Sequence, residues 1–413
     1  ADVPEDFVLN TDGDCIIPVP AVWQNHGFDS HQYINHRYPI PFDPPFVPQN
    51  NPCGVYHKNF TALKQGREYL IFDGVDSCFY VWVNGVFVGY SQVSHATAEF
   101  DITDYVSDGE NLLTVLVFKW CDGTYLECQD KFRTSGIFRD VYLLNRPNEH
   151  ITDYTVKTVL SSDLAKAEIN LSAVFSGDVL KINYKLYSPD GDLAAKGETE
   201  DGKISVSLEN PRLWNAEEPN LYSLILDVNG EIICERVGIR HIEIKDGTLL
   251  LNGQRIRIHG VNRHDSHPEK GPAVSAEDII TDLRIMKQNN INAIRTSHYP
   301  NAPILPQLCD VYGLYLIDEA DIEAHGSFFL YSEKNGPMNV VDTPQFTEAV
   351  VDRCRLLYER DKNRPSVIMW SLGNESGWGA AMEKSAAYLK EKDDQPLREH
   401  DGTERQDFGL LKP

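Results

Sequence analysis

A chain of 413 residues, 41% of them hydrophobic and 10% aromatic, has material for two or three globular domains with true cores. Its formal net charge of −24 excludes nucleic acid and anionic membrane as partners, because both require a positive face; a neutral substrate suits it better. No window approaches the roughly 18 uncharged apolar residues of a membrane span, and the first residues do not read as a signal peptide.

Ala1 stands in mid-pattern in place of Met, which reads as a processed or cut N-terminus. Eight cysteines are scattered singly with no C-x-x-C pair. That pattern predicts reduced, mostly buried thiols in a cytoplasmic protein rather than a disulfide frame or a zinc site.

Residues 1–146 read as all-β. In "FYVWVNGVFVGY" two alternating runs flank Asn84-Gly85, a pair that accepts the positive φ angles of a tight hairpin turn. "NLLTVLVFKW" and "GIFRDVYLL" continue the strand pattern, "PFDPPFVPQNNP" is a Pro-rich connection, and a β-sandwich is the expected result. "NRPNEH" (145–150) reads as a linker. Residues 147–243 alternate between short strands and turns such as Ser188-Pro189-Asp190-Gly191, predicting a second, smaller sandwich that acts as a geometric spacer.

From 244 to 413 the rhythm becomes strand, helix, strand, helix. "IRIHGV" leads to a helix with Ser275 at its N-cap, Asp278 three residues on, and Ile279, Leu283 and Met286 on one face. "INAIRTSH", "APILPQLCDVYG" and "LYLIDEA" follow. Thr343-Pro344 opens a helix with Phe346, Val350, Cys354 and Leu357 in a stripe, and "SVIMWSL" and "GAAMEKSAAYLKEKDD" come next. A short fifth strand is expected around 396–400. Four βα units in a row predict a parallel sheet, compatible with part of a (β/α)₈ barrel of four to five strands.

Polar residues cluster where these strands end: Asn262, Arg263 and His264; Arg295, Ser297 and His298; Asp318, Glu319, Glu323 and His325; Asn374 and Glu375. The C-terminal strand ends of a parallel barrel open on one face, so four separate segments are expected to converge on one bowl. Any one of these residues alone is as well explained by a structural histidine or an ion pair. Glu323 and His325, at i and i+2, point the same way on an extended segment and could share a cation with Glu375 as third ligand; carboxylates suit Mg²⁺, and a histidine fits Mn²⁺ somewhat better. Spacing is equally satisfied by a solvated glutamate beside a hydrogen-bonded histidine. Glu375 is expected above an apolar strand, where desolvation raises a carboxyl toward the pKa of a general acid. The alternative is a carboxylate capping the helix that starts near "SGWGAAMEK".

Two stretches, "NAIRTSHYPNAPILPQLCDVYGLYLIDEADIEAHG" and "DKNRPSVIMWSLGNES", resemble the two signatures of glycoside hydrolase family 2. "PFVPQNNPCGVY", "DGTYLECQDKFRTSGIFRDVYLL", "NPRLWNAEEPNLY" and "HGVNRHDSHP" are similar, in the same order, to the bacterial β-galactosidases of the lactose-operon type. The resemblance implies a jelly-roll sugar-binding domain, an immunoglobulin-like β-sandwich and the N-terminal half of a TIM barrel. It implies a retaining hydrolysis of β-galactosides such as lactose, with Glu375 as acid/base and Asn374 binding the sugar 2-hydroxyl. Glu323, His325 and Glu375 match Mg²⁺ ligands; His264 and His298 match pocket histidines, His298 as a transition-state stabiliser. Asn35 and Asp130 match substrate groups supplied by the first domain, Asp130 also holding Na⁺, and Arg295 matches a supporting charge.

Two departures stand out. Pro306 replaces an apolar or aromatic residue of the first signature. A retaining glycosidase also needs two carboxyl groups about 5–5.5 Å apart, and the family's nucleophilic glutamate belongs to a strand past residue 413. The chain is therefore expected to be truncated at both ends, to carry the acid/base half without a nucleophile, and to be inactive alone. It would depend on a complementing C-terminal segment or a homo-oligomer. The alternatives are another family 2 glycosidase (β-glucuronidase or β-mannosidase) or a non-catalytic sugar-binding fragment.

Overall fold

The computed structural model describes residues 15–35, 37–327 and 339–393, with the backbone of Leu397–Arg398. It divides into two compact units, residues 1–145 with 265–274, and residues 146–264 with 275–413.

The first unit is a β-sandwich. Cys53–Ala62, Gly109–Phe118, Cys78–Val83 and Val86–Gln92 form one antiparallel sheet in that order, and Val141–Arg146, Arg67–Phe72 and Ala98–Asp101 form another. Alternation sends Phe79, Val81 and Val83, together with Val115 and Val117, inward against Leu70 and Phe72. The expected hairpin turn is present: Asn84 has φ 52° and Gly85 has φ 78°. Five cysteines (Cys78, Cys121, Cys128, Cys309, Cys354) are buried and three (Cys15, Cys53, Cys234) exposed, all as free thiols. The segment Asp265–Val274 clusters with this unit. A buried Arg139–Asp265 ion pair of 3.0 Å holds it there.

In the second unit a smaller sandwich comes first. Its sheets run Ile151–Leu160, Lys166–Phe175, Lys203–Glu209 and Leu193–Thr199, Ile182–Tyr187, Tyr222–Val228, Glu231–Val237. Ile169, Leu171, Leu186, Leu224 and Leu226 fill its core. The Ser188 turn closes as expected, with the Gly191 N–H donating to the Ser188 carbonyl at 2.9 Å.

The parallel sheet follows: β1 (Gly260–Arg263), α1 (Ala276–Gln288), β2 (Ala293–Thr296), α2 (Ile304–Tyr312), β3 (Tyr315–Glu319), α3 (Thr347–Asp361), β4 (Val367–Ser371), α4 (Ala380–Lys392) and β5 (Leu397–Arg398). Strand order equals chain order, as in a barrel wall. Ser275 Oγ and Asp278 Oδ2 form the expected reciprocal cap of α1. Pro306 is accommodated because it is the third residue of α2, where backbone N–H groups have no intrahelical acceptor. β1 begins later than "IRIHGV" suggests, so Asn262 and Arg263 are its last residues rather than its exit. Arg364, before β4, ties the parallel sheet to the small sandwich: it pairs with Glu235 of the sandwich and, at 3.0 Å, with Asp310 of α2.

Candidate active site

The C-terminal ends of β1–β4 carry two linked clusters. The first is built around Glu319, the last residue of β3, which is 0% exposed. Its Oε2 accepts from Arg295 Nε at 2.7 Å and Ser371 Oγ at 2.6 Å; its Oε1 accepts from Arg295 Nη2 and His298 Nδ1, both at 2.9 Å. Burial by itself would raise this carboxyl, but the Arg295 charge and the His298 contacts outweigh it and hold the group at about 2. Arg295 Nη2 also donates to Asn374 Oδ1 at 2.9 Å. A guanidinium has only donors, so the amide oxygen must face it and Asn374 Nδ2 must face away. The His264 and His298 rings meet edge to face with centroids 5.5 Å apart, and His264 Nδ1 lies 3.3 Å from the Tyr299 hydroxyl.

The second cluster holds Glu323, His325 and Glu375. His325 Nδ1 lies 3.0 Å from Glu323 Oε1 and 2.9 Å from Glu375 Oε2, and one ligand atom from each residue falls within 4.8 Å of the others. The segments are set side by side by a bridge between Glu323 and Asn374 and by the Asn374 N–H donating to Ile322 O at 2.9 Å. Gly373 is required there: its φ is 137°, and a Cβ would sit 2.5 Å from the Ile322 carbonyl oxygen. Glu375 itself has φ 38°, a left-handed conformation that costs a non-glycine residue on the order of 1–3 kcal/mol. The turn lifts its side chain out of the sheet, and 44% of it is exposed. The expectation of a desolvated Glu375 therefore fails, because the strand ends at Ser371 and the carboxylate stands beyond it on an open turn.

Of the strand-end residues, His264, Arg295, His298, Glu319, Glu323, His325, Asn374 and Glu375 are brought together by these contacts. Arg263 is not: it turns to Asp282 and Asn301. Nor is Asp318, whose side chain alternates to the opposite side from Glu319 and accepts from Thr296 Oγ1 at 3.1 Å. Asn35 and Asp130 lie in the first unit. Gln32–Tyr33 pairs antiparallel with Phe132–Arg133, and Asp130 accepts from the Tyr33 hydroxyl. The sequence reading placed Glu319 among the candidates but missed its central position, and missed Ser371 and Tyr299. The reason is strand register, which only the fold shows: Arg295 pairs with Ile317, so Glu319 follows two residues on, on the same face.

Residues 2–147 match the family description glycosyl hydrolases family 2, sugar binding domain; 149–240 match glycosyl hydrolases family 2; and 242–407 match glycosyl hydrolases family 2, TIM barrel domain. A β-galactosidase of Actinobacillus pleuropneumoniae is 48% identical over 95% of this chain and 41% of its own length. One from Staphylococcus xylosus is 45% identical over 94% of this chain and 39% of its own. The chain thus spans about 40% of the length of these curated relatives. Among solved structures, a β-D-glucuronidase of Dictyoglomus thermophilum superposes with a TM-score of 0.77 at 23% identity, over 94% of this chain and 69% of that one; the likeness is one of fold.

Proposed function

This chain belongs to glycosyl hydrolases family 2, and we propose that it supplies the acid/base half of a retaining β-galactosidase acting on lactose-like β-galactosides. The observation that carries this reading is the placement of Glu375. It is the one strand-end carboxylate of the two clusters that is open to solvent, with Asn374 beside it. In that position it can protonate the leaving glycosidic oxygen and then deprotonate the incoming water. Asn374 Nδ2 donates to a sugar hydroxyl, and His264 and His298 line the pocket, His298 stabilising the transition state. Arg295 acts from beneath, since its named bonds go to Glu319 and Asn374. Asn35 and Asp130 are assigned to substrate as well.

The nucleophile is assigned, as the family resemblance implies, to a segment outside this chain; Glu319 and Glu323 are 0% and 1% exposed. Partner supply follows: a complementing C-terminal segment or a homo-oligomer. Eight free thiols favour the reducing cytoplasm, and no described helix is long and apolar enough to cross a membrane.

Glu323, His325 and Glu375 suit Mg²⁺ or Mn²⁺. Glu323 Oε2 is buried without a hydrogen-bond partner, as a ligand atom would be. Bound there, such a cation would offset the charge of the two carboxylates. Asp130 is assigned to Na⁺.

The test is hydrolysis of an aryl β-galactoside by the chain, alone and with the C-terminal segment of a related β-galactosidase. Turnover is expected only in the mixture, and Glu375→Gln should lower it by roughly 10²–10⁴-fold. A loss of only a few-fold overturns the acid/base assignment. The panel should include aryl β-glucuronides and β-mannosides; preference for either would replace galactose with that sugar.

A further inference from the structure

We infer that Glu319 is a positioning residue that sets the hydrogen-bond polarity of the two groups offered to the sugar, His298 and Asn374. The inference rests on the reading that those two residues face substrate.

Glu319 accepts four hydrogen bonds on its two oxygens, from Arg295 twice, Ser371 and His298. Each of those atoms must be a donor, because an ionised carboxylate offers only lone pairs. The His298 bond therefore runs from Nδ1–H, and the neutral ring is the Nδ1–H tautomer, the reverse of the form a free histidine side chain prefers. Its Nε2 is left bare, an acceptor for a sugar O–H, on a side chain that is 16% exposed. The second arm runs through Arg295. Held bidentately by Glu319, its fork has Nη2 aimed at Asn374 Oδ1, which fixes the amide with Nδ2 outward as a donor. One buried carboxylate thereby presents an acceptor on β2's exit and a donor on β4's exit. That pair complements hydroxyl groups on a pyranose, one giving its proton and one receiving.

A charge-assisted hydrogen bond should favour the Nδ1–H tautomer by roughly tenfold or more. The experiment is nitrogen NMR of the chain labelled with ¹⁵N-histidine, at a pH where His298 is neutral, its signals assigned by their loss in His298→Gln. We expect the Nδ1–H pattern in the wild type. Glu319→Met removes both acceptor oxygens and should move the His298 ring toward Nε2–H. An Nε2–H ring in the wild type, or an Nδ1–H ring retained in a folded Glu319→Met chain, overturns the inference. Should that variant not fold, the wild-type tautomer decides alone. Because the readout uses no substrate, a chain that turns over no galactoside leaves this test intact. Conversely, a failed tautomer leaves the Glu375 assignment standing.

Discussion

Asp318 and Glu319 are adjacent on β3, both 0% exposed, yet their carboxyls are shifted in opposite directions. Glu319 is held at about 2, while Asp318 is pushed well above the ordinary carboxylate range, first by burial and then by the neighbouring Asp361 charge. Burial is the same for both. The partners differ because a strand sends successive side chains to opposite sides. Glu319 meets Arg295 and His298; Asp318 meets Thr296 and a second carboxyl. A buried acid's charge is thus set by what faces it, and the functional face is the one where donors outnumber acceptors.

The comparison is tested hardest by removing each acid. Glu319→Ala strands the Arg295 guanidinium in a buried site and should destabilise the chain by about 3–5 kcal/mol in urea denaturation. A loss under 1 kcal/mol would mean that Glu319 and Asp318 are energetically alike. Next comes the pH dependence. Glu319's pKa falls from 4.5 to about 2 on folding, so its contribution, roughly 3 kcal/mol, is complete above pH 4.5 and lost as pH drops through 2. Asp318 has the opposite sign: its folded pKa lies above 3.8, so its contribution is full below pH 3.8 and lost as pH rises through the raised value. Glu319→Gln should flatten the acid limb of a stability profile, and Asp318→Asn the limb at higher pH. Ser371→Ala removes one donor to an ionised group and should cost about 1.5–3 kcal/mol. The smallest effect is expected for Asp318→Asn at neutral pH, within about 1 kcal/mol, because burial and the Asp361 charge already disfavour the ionised form that the amide removes.

Much of the molecule was legible in the order of residues. Asn84-Gly85 announced its hairpin, Ser275 and Asp278 their cap, and the apolar runs ending in polar residues announced a parallel sheet with a site at its open end. Those features depend on neighbours a few positions apart, where backbone geometry and side-chain period act directly. The clustering of His264, His298, His325 and Glu375 was legible too, as a consequence of parallel strand ends. Misjudged features depend on distant partners. The exposure of Glu375 follows from the turn at Gly373 against Ile322, and the central position of Glu319 from donors on β2 and β4.

The sequence by itself determined the period of each element, its caps and turns, and hence which strand ends would share a face. Only the tertiary structure decided which carboxylate on that face is held by donors, which stands open, and which neighbour turns to the other side, where burial raises its pKa. The reason is physical. Hydrophobic period and turn chemistry are short-range, whereas the charge of a buried group is set by donors and charges that folding brings from 24 and 52 residues away into a medium that screens them poorly.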